Sequence, residues 1–163
     1  MEASICKEII SLFKEKRNLF LNLIDILDEE KKSIISIDID QLWHFTKEKN
    51  LKTKEIEKIR ETILEILSDS SINHGMDKNT FSMVSVLDNL PTQIARILEP
   101  LRIEFLTLTQ EITSRVKDNQ VFINEYLKTM DDVTSIIMGT YNQNKKSNTY
   151  SSRCMSNYLQ NGV

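Results

Sequence analysis

An all-α fold is predicted for this chain of 163 residues from three features of its sequence. Glycine and proline are scarce, at 3 and 2 residues, whereas tight turns and β-rich folds need more of both. Ile, Leu, Lys and Glu dominate, which is typical of long helices. Apolar residues recur at spacings of three and four over long stretches, the pattern of one helix face. We therefore expect an elongated antiparallel coiled-coil or helical bundle of two to three long helices plus a short helix, with a polar C-terminal tail.

The first two long helices are predicted at about residues 3–32 and 38–68. The apolar stripe of the first is interrupted at Lys16 and Arg17, so we expect one turn there to be more solvated. An Asp-Ile-Asp sequence that starts at Asp38 supplies good N-cap residues for the second helix. The middle of the second helix has few apolar residues but contains no helix breaker, and we expect it to be continuous.

A loop, a short helix and the longest helix follow. Residues 68–79 form the clearest loop, because Ser, Asp, Asn and the first Gly cluster there. The short helix is predicted at about residues 79–88, with these side chains facing inward: Phe81, Met83, Val84 and Leu87. The longest helix is predicted at about residues 92–138. Pro100 should kink it or mark its true start, and Gly139 suits its C-terminal end.

The charge distribution divides the chain into two predicted domains, a helical bundle at residues 1–139 and a polar, basic tail at residues 140–163. The tail contains no Asp or Glu and carries +3, so the bundle carries −6 within a total of −3. The composition of the tail favours disorder in isolation and ordering on a partner. We therefore expect the helical bundle and the tail to have different functions.

Signals for catalysis and for metal binding are missing from the sequence. His44 and His74 form no two-histidine arrangement of the kind that binds zinc. The segment that starts at Asp38 lacks the glycine and most oxygen ligands of a calcium loop. Cys6 and Cys154 have no metal-type spacing, which favours a reducing compartment, with Cys6 in the core. We expect a protein that is not an enzyme and has no cofactor, no catalytic residue and no bound metal.

Composition also predicts where the protein acts. The N-terminus has no signal-peptide pattern, and no stretch approaches the ~18 apolar residues of a membrane span. The basic run between Lys47 and Arg60 is interleaved with glutamates, so we expect a solvated, salt-bridged helix face. A nucleic-acid binding surface would instead require an unbroken basic patch with aromatic side chains. We expect a cytoplasmic protein without direct membrane insertion and without a nucleic-acid partner.

The apolar face widens near the end of the longest helix beyond what a narrow coiled-coil seam needs. The residues that widen it are Phe122, Ile123, Leu127, Met130, Ile136, Ile137 and Met138. A second apolar surface of this kind suits a partner helix. A dimer seam would show the same pattern, so both alternatives stay open.

Several stretches carry a resemblance to a known family. Residues 19–30 combine Leu with acidic residues, Asp40-Gln41-Leu42 follows, and lysines occur in LKTKEIEKIRETI at residues 51–63. An Asn-containing stretch followed by aliphatic residues lies at 116–123. In size, helical layout and the order of these features, the chain resembles the FlgN family of flagellar secretion chaperones.

The resemblance implies a function, partners and site residues. It implies a cytoplasmic type III export chaperone that binds the C-terminal helical segment of hook–filament junction proteins, prevents premature assembly and delivers them to the export-gate membrane protein. The client-binding residues that it implies are Asn119, Phe122, Ile123, Tyr126, Leu127, Met130, Val133 and Ile137. Tyr150 matches the family's tail tyrosine for docking to the export gate, with Tyr141 as the alternative. The alternative function is a self-associating coiled-coil structural or adaptor protein, with a homodimer through the same stripe.

Overall fold

The structure is a computed structural model that describes the backbone of residues 3–70 and 75–160 and the side chains of residues 4–70 and 75–139. Over these residues the chain forms four helices and no strand. The helices are α1 (Ala3–Ser36), α2 (Ile39–Asp69), α3 (Met83–Asp88) and α4 (Thr92–Gln160). The predicted all-α helical bundle with three long helices and one short helix is confirmed.

The turn between α1 and α2 is set by backbone hydrogen bonds and by one capping side chain. The N–H of Ile37 donates to the Ile34 carbonyl at 3.2 Å, and the N–H of Asp38 donates to the Ser33 carbonyl at 2.9 Å. This pairing closes the last turn of α1 and places Ile37 in the left-handed region, at φ 58°. The carboxylate of Asp38 then accepts a 3.0 Å hydrogen bond from the Gln41 N–H. Asp38 is therefore the N-cap of α2, as predicted.

The two compact units of the chain are Met1–Gln120 and Val121–Val163. In the first unit, α1, α2, α3 and the start of α4 contribute side chains to one core. Its fully buried apolar side chains are Ile9, Phe13, Ile63, Leu67, Val86 and Leu98. Cys6 is also buried, as predicted.

Ion pairs show the direction of each long helix in the first unit. Arg17 Nε lies 2.7 Å from Glu104 Oε1, and Arg115 Nε lies 2.9 Å from Asp28 Oδ1. From the first pair to the second, the residue number rises on α1 and also on α4, so these two helices run in the same direction. Lys49 on α2 pairs with Glu30 near the end of α1, while Arg60, later on α2, and Lys16, earlier on α1, lie against the same ring, that of Phe81. Consecutive long helices are therefore antiparallel.

The turn of α1 at Lys16 and Arg17 was predicted to be more solvated, but both side chains are partly buried. Arg17 is bound to Glu104 on α4. Lys16 is half-buried, and its Nζ lies 5.2 to 5.6 Å from the centres of three phenylalanine rings. The prediction is wrong because a long lysine stem can line apolar surface while its amine meets ring faces.

The short helix α3 begins at Met83, later than predicted. The carboxylate of Asp77 accepts hydrogen bonds from the Thr80 N–H and the Asn79 N–H, each at 2.8 Å. These bonds hold a non-helical turn ahead of α3. With this start, Val86 is fully buried while Val84 is 51% exposed. The prediction that Val84 faces inward is wrong.

The longest helix, α4, does not end where the sequence predicted. It continues through Gly139 to Gln160, so the predicted stop at Gly139 is wrong. It begins at Thr92 and contains Pro100, which excludes Pro100 as its start. Proline has no N–H, so the Arg96 carbonyl loses its donor one turn later. The functional division of the chain after residue 139 stays a prediction.

Candidate binding surface

An exposed apolar stripe on α4 lies in the second compact unit, at residues 122–137. At roughly 100° per residue, seven of the predicted client-binding side chains fall within an arc of roughly 140° on the helix. Of these, Leu127 is 55% exposed, Met130 45%, Val133 45% and Ile137 61%. Phe122 is 38% exposed, while Ile123 and Tyr126 are half-buried. The structure thus places these seven residues on one face.

The opposite face of the same stretch is polar and mostly acidic. It carries Glu125, Asp131 and Asp132 against Lys128, so residues 121–139 have a net charge of −2. All four side chains are exposed. An amphipathic helix with one wide apolar face and one acidic face is suited to receive a second amphipathic helix rather than a small polar ligand.

Two further exposed residues extend the apolar surface. Ile136 is 68% exposed and Met138 is 60% exposed, more than Val133 or Met130. The client-binding residues that the resemblance implies include neither of them. Their signal in the sequence is the run of apolar residues that widens the face at its C-terminal end.

Asn119 differs from the other predicted client-binding residues. It lies in the first compact unit and is 3% exposed. Its Nδ2 donates hydrogen bonds to the Leu27 carbonyl and to Glu30 Oε2, each at 3.0 Å. A client could touch this side chain only after it left its place against α1. Its contact with a client stays a prediction.

A buried polar cluster surrounds Asn119 and joins three helices. Glu30 on α1 is 5% exposed and accepts hydrogen bonds from Asn119 on α4 and from Lys49 on α2. Asn119 Oδ1 is buried and has no hydrogen-bond partner. Sequence reasoning missed this cluster. Its only signal in the sequence was Asn119, a polar residue at a position where the apolar stripe of α4 predicts an aliphatic one.

The predicted export-gate residue, Tyr150, lies on α4 by its backbone. Its side chain, like that of the alternative Tyr141, is outside the described residues. The role of either tyrosine stays a prediction.

Other kinds of site were considered over the same part of the chain. Among the described residues, no group of three or more His, Cys, Asp or Glu could hold a metal ion. Within that same part, no helix is long and apolar enough to cross a membrane. His44 is exposed and lies 3.6 Å from Glu48 on its own helix.

The chain matches a known protein family. The family model described as FlgN protein matches residues 1–156, which is nearly the whole chain. No curated protein and no solved structure matches the chain. The family match agrees with the helical layout and with the stretches that carried the resemblance. The chain therefore belongs to the FlgN family of flagellar chaperones.

Proposed function

We propose that this protein is a cytoplasmic type III export chaperone for hook–filament junction proteins. It binds the C-terminal helical segment of its client, keeps the client from assembling early and delivers it to the export gate. The stripe formed by Phe122, Ile123, Tyr126, Leu127, Met130, Val133 and Ile137 provides the client site. The observation that carries the proposal is the exposure of this wide apolar face in a chain of the FlgN family.

The physical basis of client binding is the burial of two apolar stripes against each other. Burying one large aliphatic side chain contributes about 1.5–3 kcal/mol. A client segment that folds on binding costs about 2–5 kcal/mol in ordering. Several apolar side chains must therefore be buried together, and the seven side chains of this face supply them. Covering the client's own stripe also removes the surface through which it would assemble.

Asn119 and the tail tyrosine have different parts in this proposal. Asn119 holds α4 against α1, one residue before the end of the first compact unit. Tyr150 belongs to the basic, acid-free segment at residues 140–163. This segment carries the opposite charge to the rest of the chain, which suits a separate contact with the export gate.

Two variants of equal charge test the client site. Val133→Glu places a carboxylate on the apolar stripe, whereas Ser135→Glu places the same charge on the polar face two residues away. Both positions are exposed, so neither change should unfold the protein. Binding of the full chain to a purified hook–filament junction protein from the same cell is measured by isothermal titration calorimetry. We expect Val133→Glu to weaken binding at least about tenfold, or about 1.4 kcal/mol, and Ser135→Glu to leave it unchanged.

The opposite results would refute the proposal. If the wild-type chain binds no junction protein, the chaperone function is wrong. If both variants bind equally well, the client site lies elsewhere.

The alternative, self-association through the same stripe, has a separate readout. Light scattering of the wild-type chain over a range of concentrations shows whether it forms a stable oligomer. A stable, concentration-independent dimer that Val133→Glu dissociates would favour the structural or adaptor function. A monomer that still binds the junction protein would favour the chaperone.

A further inference from the structure

Lys16 on α1 occupies an unusual place in the first compact unit. Its Nζ lies 5.6 Å from the ring centre of Phe20, 5.3 Å from that of Phe81 and 5.2 Å from that of Phe105. The rings come from α1, from the segment before α3 and from α4. Three separate parts of the chain thus converge on one amine.

The neighbours of Lys16 do not neutralise its charge. Among the described residues, no ion pair joins a carboxylate to Lys16; Glu104 pairs with Arg17, and Glu99 pairs with Arg102. Arg60 on α2 instead brings a second positive charge, and its guanidinium lies 5.5 Å from the centre of the Phe81 ring. Burial, and secondly the charge of Arg60, lower the pKa of Lys16 from 10.5 to about 8.

A cavity lies beside this amine. It has a volume of about 200 Å³, enough for a molecule of a few heavy atoms, and Lys16 is part of its wall. The rest of the wall combines apolar side chains with two hydroxyls and one guanidinium, from Phe20, Met83, Val84, Phe105, Leu106, Ser82, Thr109 and Arg102. The cavity therefore offers an apolar place for a short acyl chain, beside a guanidinium that is paired with Glu99.

We propose that Lys16 is a site of acylation by small acyl phosphates. In this reaction the lone pair of Nζ attacks the acyl carbon, an N–C bond forms and the C–O bond to phosphate breaks. Phosphate leaves with the electron pair of that bond, and the amine loses one proton to water. No oxidant or reductant takes part, and the product is a neutral amide.

Two features of the site favour this reaction over reaction at other lysines. The neutral amine is the nucleophile, and a lowered pKa makes it roughly a hundredfold more abundant near neutral pH than at an ordinary lysine. The product has no charge to be desolvated and is not repelled by Arg60, so the environment that disfavours the ammonium tolerates the amide.

Acylation rates of individual lysines test the inference. The full chain is incubated with acetyl phosphate, and the modification of each lysine is followed by peptide mass spectrometry. Lys14 is an internal control, because it is exposed and lies two residues away on the same helix. We expect Lys16 to react at least about tenfold faster than Lys14 at pH 7.5, and the rate at Lys16 to level off above pH 8. A rate at Lys16 equal to or below that at Lys14 would overturn the inference.

A pair of variants at Arg60 separates the charge effect from access to the cavity. Arg60→Gln removes the neighbouring charge, and Arg60→Lys keeps it. We expect Arg60→Gln to slow acylation of Lys16 several-fold and Arg60→Lys to leave the rate near that of the wild type. Circular dichroism checks that both variants are folded. Equal rates in the two folded variants would contradict the role given to Arg60, and the comparison of Lys16 with Lys14 would still decide the site.

Discussion

The buried cluster of Asn119, Glu30 and Lys49 gives the sharpest test of how the first compact unit is held together. Asn119→Ala removes two hydrogen bonds that cross from α4 to α1. The bond to the Glu30 carboxylate contributes about 1.5–3 kcal/mol and the bond to the Leu27 carbonyl about 0.5–1.5 kcal/mol. Loss of the unpaired Oδ1 offsets about 1 kcal/mol of this. We expect a net loss of about 2 kcal/mol.

Urea unfolding followed by far-UV circular dichroism measures this loss. For a chain of this size we expect the midpoint to fall by about 1 M with little change in slope. Lys117→Ala is the matched control, because Lys117 is an exposed side chain two residues away on the same helix. It should shift the free energy of unfolding by no more than about 0.5 kcal/mol.

A double-mutant cycle tests the partner. Glu30→Gln removes the carboxylate charge, so Asn119→Ala should cost only about 1 kcal/mol in that background. The role of the buried cluster is refuted if Asn119→Ala lowers the free energy of unfolding no more than Lys117→Ala does. It is also refuted if Asn119→Ala has the same effect in the wild type and in the Glu30→Gln background.

Three further predictions concern the stability of the first compact unit, each measured by the same urea unfolding. Ile37→Gly should stabilise the protein by about 1 kcal/mol, because it relieves the strain of a β-branched residue in the left-handed region. Ile39→Gly, the control, should destabilise the protein. A loss of stability in Ile37→Gly would contradict this. Phe13→Ala should cost about 4 kcal/mol, since its ring is fully buried, and a cost below about 2 kcal/mol would mean a looser core. Burial and the charge of Arg60 lower the pKa of Lys16 from 10.5 to about 8, so between these pH values the unfolded chain binds more protons and stability rises with pH. Lys16→Met should abolish this rise and stabilise the protein at pH 7 by on the order of 2 kcal/mol, and an unchanged pH profile would refute it.

The helices were predictable because their signals are local. The apolar repeat of α1 and α2 and the Asp38 cap depend on residues that lie a few positions apart. The late start of α3 also has a local cause, the Asp77–Thr80 turn, whose Asp-x-x-Thr pattern could have been recognised. The end of α4 was missed because one glycine costs a helix only about 1 kcal/mol, which good neighbouring residues can outweigh. Gly139 therefore does not stop it.

The candidate binding surface was predicted in part. The stripe from Phe122 to Ile137 follows from periodicity, and its residues share one face as expected. Periodicity cannot say whether an apolar face is covered, because a core stripe and a docking stripe have the same spacing. Asn119 was grouped with these residues because the family resemblance implied it, and a resemblance does not show that the side chain is buried against α1.

The sequence by itself determined the all-α fold, the order of the long and short helices and the family to which the chain belongs. These properties depend on composition, on the three-four repeat and on residues close together along the chain. The tertiary structure alone decided which polar groups are buried: Asn119 joined to Glu30 and Lys49, and Lys16 placed among three phenylalanine rings. Both clusters combine residues from α1, α4 and either α2 or the segment before α3. The free energy of a buried amine or carboxylate depends on those distant neighbours, which local sequence does not encode.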